Sequence, residues 1–189
     1  MHDIAPFDRW EDIYDSSSDP RSPLYGTRYH DSLCTNAVYN YYIHPYWDEM
    51  GSSTLYLKIL YAGYQENFAV IELIGEWNDV LHNDIMYLKR NIAEPLIAEG
   101  INKFLIIGEH VLNFHADAND YYEEWFDEIG DGWIVGLNFR DHVVEEFSRA
   151  RLDYYIAFGG GFTSFNWRRF SPEQLCKAMT IMMSRRLGI

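Results

Sequence analysis

Four side chains of metal-binding type stand close together in the middle of this sequence: His110, His115, Asp117 and Asp120. Neutral imidazoles and carboxylates are ordinary ligands of a divalent cation, and a cation with one open position activates water at neutral pH. Glu109 and Glu124 flank the group and offer a base or an outer layer of hydrogen bonds. The spacing matches no HExxH-type signature. The same stretch also reads as a helix entry, with Asp117, Asn119 or Asp120 as the cap and the histidines as surface or packing residues.

Two further clusters carry weaker chemistry. Gly159-Gly160-Gly161, followed by Arg168 and Arg169, invites a phosphate-loop reading, yet the chain has neither a dinucleotide-binding nor a P-loop pattern there. A flexible turn accounts for the glycines. His44 lies in Tyr41-Tyr42-Ile43-His44-Pro45-Tyr46-Trp47-Asp48-Glu49, where a half-buried imidazole would serve as a general base. Pro45 donates no ladder hydrogen bond, and a bulged edge strand explains the cluster without catalysis. No GxSxG elbow is present, and neither Cys34 nor Cys176 sits in an activating motif, so serine and cysteine hydrolase chemistry is unsupported.

The elements that must position these residues alternate along the chain. Apolar, strand-like runs at residues 68–74, 104–107, 133–137 and 154–158 are separated by stretches with helical spacing. That order predicts an α/β domain with a mixed four- to six-stranded sheet and crossover helices. Two earlier runs, residues 37–47 and 54–61, flank a Gly51-Ser52-Ser53 turn and lead into a second connection at residues 63–67. The first part of the sheet is therefore expected to be antiparallel.

The first helix is expected from an Asn78 or Asp79 cap towards Glu99, with Ile85, Leu88, Ile92, Leu96 and Ile97 on its inner face. Pro95 should interrupt it and Gly100 should end it. Further helices are expected at residues 120–127, at residues 141–149, and from a Ser171 cap with Pro172 in the first turn to about Leu187. Residues 1–33 mix acidic, Ser, Pro and aromatic side chains and read as an extension to a single domain of residues 34–189. Within the extension, residues 7–14 suggest a short aromatic helix that packs on its own domain or on another chain.

Composition bounds the function. A chain of 189 residues with 48% hydrophobic and 17% aromatic residues can build a sizeable core. The formal charge of −14 makes nucleic acid and anionic membranes poor partners. The charge is uneven: from Phe139 onward the chain carries a net of +3, against −17 before it. Two distant cysteines suggest a reducing compartment, and no leader-like or membrane-length apolar run is visible, so a cytoplasmic protein is expected. No cofactor is implied.

The order of elements resembles that of a STAS-type or SpoIIAA-like domain over roughly residues 55–158. The resemblance rests on Ile71-Glu72-Leu73-Ile74-Gly75-Glu76-Trp77 followed by Asp79, on Gly132-Trp133-Ile134-Val135-Gly136-Leu137-Asn138-Phe139 leading into Val143 and Val144, and on Leu152-Asp153-Tyr154-Tyr155-Ile156. It implies a regulatory module, as in antagonists of anti-sigma factors. The phosphorylatable Asp-Ser-Ser-Gly-like loop of that family is replaced here by Asn113-Phe114-His115-Ala116-Asp117-Ala118-Asn119-Asp120, which has no serine or threonine.

The function expected from these readings is a non-catalytic, STAS-like protein-interaction module with Trp47, Trp77, Trp125 and Trp167 as partner-binding anchors. Two alternatives stay open. One is a small metal-dependent or acid–base enzyme using the loop of His110, His115 and Asp117. The other is a homo-oligomeric structural subunit that self-associates through the N-terminal aromatic arm.

Overall fold

The computed structural model describes residues 4–30 and 35–188 of the chain. Cys34 and the expected 33/34 domain boundary lie outside the described residues. The central element is a five-stranded mixed sheet, β3 (Asp48–Glu49), β4 (Leu55–Gly63), β5 (Phe68–Asn78), β6 (Lys103–His115) and β7 (Trp133–Leu137), in that spatial order. β3, β4 and β5 pair antiparallel, whereas β5, β6 and β7 run parallel. A separate hairpin joins β1 (Ala37–Val38) to β2 (Tyr41–Tyr42). The parallel strands need crossovers, and the intervening amphipathic segments supply them.

Every residue of β5 is buried, as expected for a middle strand covered on both faces. On one face Ile71, Leu73, Phe104, Ile106 and Ile134 pack beneath the crossover helices, against Leu88, Leu96, Trp125 and Phe147. On the other, Phe68, Val70, Leu105 and Val135 pack under Trp10, Trp167 and α6 (Pro172–Leu187), which supplies Leu175, Met179 and Met183. A third cluster, Val38, Ile43, Trp47, Tyr56 and Ile74, caps that second face towards the carboxyl end of β5.

The first crossover is broken into pieces. Asn78 caps α1 (Asp79–His82) through its side chain, and Asn83, at φ 52°, turns the chain into α2 (Asp84–Tyr87). A π-wound turn over Leu88–Ala93 precedes α3 (Glu94–Ala98), where Pro95 stands in the first turn and has no N–H to donate. α4 (Asp120–Glu128) and α5 (Asp141–Arg149) follow β6 and β7. The Ser171/Gln174 capping box opens α6 as its sequence indicates.

Several expectations are corrected. β5 runs through Gly75 instead of ending there. Gly75 adopts φ +118°, and a Cβ would lie 2.1 Å from the Thr54 carbonyl oxygen, so glycine allows β4 and β5 to close. β6 runs to His115 rather than Ile107, because its ladder with β5 continues to the Asn78–His115 pair. Residues 154–158 form no strand; Leu152–Tyr154 is a 3₁₀ turn, and the segment meets the β7 backbone as an isolated Val135–Ala157 bridge. Residues 37–47 divide into the hairpin and a loop, since Tyr39 and Asn40 both take positive φ and turn the chain back. Residues 9–13 form turns rather than a helix. The N-terminal segment packs on its own sheet, with Trp10, Ser16, Ser22 and Leu24 buried.

Candidate functional site

The apolar run at residues 68–74 of β5 carries one glutamate, Glu72. Val70 belongs to the apolar cluster under α6 and Ile74 to the cluster under the hairpin, and Glu72 lies between them, 1% exposed. The neighbouring strand brings its own charges to the same place. Between the Glu72–Ile107 and Ile74–His110 pairs the register slips, giving β6 one extra residue and bringing both Glu109 and His110 close to Glu72. Gly108 belongs to this irregular stretch; a Cβ there would lie 2.4 Å from the Phe139 ring.

One ligand atom from each of Glu72, Glu109 and His110 falls within 4.8 Å of the others, the one such grouping among the described residues. Arg168 closes the group, with Nη1 2.7 Å from Glu109 Oε2 and Nη2 3.6 Å from Glu72 Oε1. Glu109 Oε1 also accepts from Asn138 Nδ2 at 2.7 Å and from Trp167 Nε1 at 2.9 Å. Asn138 follows β7 at φ 56°, and its amide grips the Phe165 backbone through both ends, holding the Trp167–Arg168 turn against β6.

These surroundings divide the two glutamates. Burial raises the Glu72 carboxyl to about 7, against the lowering effects of the Phe7 N–H at 3.0 Å and of Arg168. Burial also acts on Glu109, but hydrogen bonds from Asn138, Trp167 and Arg168 outweigh it and hold that carboxyl below its ordinary value. His110, 3.9 Å from Glu72, is lowered by burial first, opposed by the Glu109 carboxylate and helped by Arg168 and Arg140, which favours the neutral imidazole. The arrangement therefore sets a proton-exchanging carboxyl beside a fixed ion pair and a neutral imidazole. That combination suits proton transfer. A divalent cation bound by the three ligand groups would compete with Arg168 for the carboxylates.

The histidine cluster read from the sequence is dispersed. His110 and His115 are five residues apart in an extended strand, about 16 Å along its length. His115 pairs with Glu76 at 3.0 Å, while Asp117 lies exposed in the loop and Asp120 in the first turn of α4. Glu124 is engaged with Arg90 and Lys89. The Gly159–Gly161 segment lies in a turn and 3₁₀ helix, with Arg168 committed to the glutamates instead of to a phosphate loop. His44 is half-buried, and its Nδ1 accepts from the Tyr46 N–H at 3.2 Å.

The four tryptophans named as anchors are all core residues. Trp77, Trp125 and Trp167 are 0% exposed and Trp47 4%. Trp77 donates to Asp79, Trp47 to the Ile4 carbonyl and Trp167 to Glu109, while Trp125 packs edge-on against Phe104. Their indoles fill the sheet's faces, so none offers an outer surface. The exposed large side chains lie elsewhere. Tyr39, Tyr41 and Tyr42 of the β1–β2 hairpin are each more than half exposed.

Glu72, Asn138 and the pairing role of Arg168 were missed by sequence reasoning. The readable signal was a lone charge inside Phe68-Ala69-Val70-Ile71-Glu72-Leu73-Ile74, since a glutamate buried among apolar neighbours requires a reason. Comparison with family models, curated proteins and solved structures finds no match to this chain. Among the described residues no helix is long and apolar enough to cross a membrane.

Proposed function

We propose that the protein is a non-catalytic regulatory module of STAS-like type that binds a protein partner through the β1–β2 hairpin. The observation that carries this reading is the row of exposed tyrosines on a tight turn. Tyrosine gives large contact area at low entropic cost, and a two-residue turn with positive φ at both central positions presents it rigidly. Tyr39 holds φ 50°, uncommon for a bulky residue, while its hydroxyl engages Glu76. With Glu49 held by Asn36 just before β1 and a chain charge of −14, the partner is a basic protein.

The test is a crosslinked affinity purification from the native cells with wild-type protein and with the double variant Tyr41→Ser/Tyr42→Ser. A stoichiometric basic partner present with the first and absent with the second supports the reading. Recovery of the same partner with both overturns it. A second reading, a small acid–base enzyme, is favoured by the Glu72 centre. Its readout is loss of any detected turnover in Glu72→Gln with folding intact.

A further inference from the structure

A cavity of about 410 Å³ opens beneath the N-terminal segment, beside the charged centre but separate from it. Its walls carry five aromatic side chains, Phe7, Trp10, Tyr14, Tyr29 and Tyr46. Phe7 and Trp10 meet edge to face at 5.2 Å, as do Tyr29 and Tyr46 at 5.7 Å. Glu11, Asp12 and Asp15 complete the acidic part of the lining. Asp15 is committed to the Ser17 and Ser18 hydroxyls, whereas the side chains of Glu11 and Asp12 are exposed.

The cavity also contains evidence of the chemistry it favours. Lys58 lies in its wall with Nζ 3.8 Å from the centroid of the Tyr29 ring. The same ammonium is neutralised by Asp48 at 3.3 Å, and Tyr29 donates its hydroxyl to that carboxylate at 2.7 Å. One ammonium group is thus already held by a ring face and a carboxylate. With Lys58 matched by Asp48, the remaining lining charge is negative. Aromatic faces in a negative field attract cations and disfavour anions.

From this we infer that the cavity is a binding site for a small organic ammonium ion, a free primary or quaternary amine held by the ring faces and the Glu11–Asp12 rim. The inference is independent of the hairpin reading, because none of the exposed hairpin tyrosines lines the cavity.

The experiment is a calorimetric titration of the full chain with choline, with dimethylbutanol as the uncharged molecule of the same shape, and with a blocked trimethyllysine. The expected result is saturable choline binding, with the neutral isostere weaker by about tenfold, the discrimination a partly desolvated cation–π site provides. The double variant Glu11→Gln/Asp12→Asn, which changes exposed side chains only, is expected to weaken choline by about threefold. Equal binding of the isostere, no saturable choline binding, or an unchanged affinity in the double variant would overturn the site. Tighter binding of the blocked lysine would overturn the assignment to a free amine.

Discussion

Asp79 and Glu72 are both buried carboxyls at or beside β5, and both are raised by burial, to about 6 and about 7. Their surroundings differ. Asp79 accepts from Trp77 Nε1 at 3.0 Å, the Ile85 N–H at 2.9 Å and the Tyr122 hydroxyl at 2.6 Å, tying together the end of β5, α2 and α4. Among the described residues Glu72 has one donor within hydrogen-bond distance, the Phe7 N–H; Arg168 and His110 stand further off at 3.6 Å and 3.9 Å. Asp79 is thus a saturated structural junction. Among the described residues Glu72 Oε1 has the arginine at 3.6 Å and the histidine at 3.9 Å as its nearest charged partners, both partly exposed. The contrast separates a raised carboxyl whose hydrogen bonds complete a structural junction from one that keeps capacity for a further donor, the arrangement open to proton exchange.

The largest effect expected is at the junction. Asp79→Ala leaves an indole N–H, a phenol and a backbone N–H without their acceptor and should cost about 4 kcal/mol in urea unfolding. A cost below about 1 kcal/mol would break the comparison, since Asp79 would then not hold those elements.

Next is the pH dependence of Glu72. Its folded value of about 7 stands above the ordinary 4.5, so its contribution to stability is fully present below 4.5 and is lost as pH rises to about 7. Wild type should lose about 1.4 kcal/mol per pH unit relative to Glu72→Gln across that window and level off above it. Parallel stability curves for the two proteins would show that Glu72 titrates as an ordinary surface carboxyl.

A smaller change is expected from Arg168→Met. Removing the guanidinium should raise the Glu72 carboxyl further and cost about 1 kcal/mol through the lost ion pair at Glu109 Oε2, while Oε1 keeps Asn138 and Trp167. Carboxyl NMR titration reads the first effect and unfolding the second; an unmoved Glu72 resonance would mean that Arg168 serves Glu109 alone. The smallest effect belongs to Tyr41→Ser/Tyr42→Ser, which should stay within about 0.5 kcal/mol of wild type because both rings are exposed. A larger loss would place those rings in the fold instead of at a contact surface.

Local signals in the chain carried much of the architecture. The apolar run of β7, the helix Asp141–Arg149 and the Ser171-Pro172 entry to α6 are set by period and capping chemistry, which act within a few residues. The full length of β6 was not legible, because Glu109, His110 and Asn113 interrupt its apolar pattern and only pairing with β5 extends it. The tryptophans misled for a related reason: their amphipathic rings fit a core as well as an interface, and burial is settled by neighbours distant in sequence.

The sequence by itself determined the α/β class, the antiparallel entry to the sheet, most helix boundaries and the acidic character of the chain. Only the tertiary structure decided which charges meet. His110 and His115 are near in sequence but are carried apart by an extended strand, whereas Glu72, Glu109 and Arg168 come together across β5, β6 and the turn before α6. Periodicity reports which face a residue takes within its own element. Strand register, the slip in β6 and the close of the Trp167–Arg168 turn decide what stands opposite it, and those depend on pairing between segments far apart in the chain.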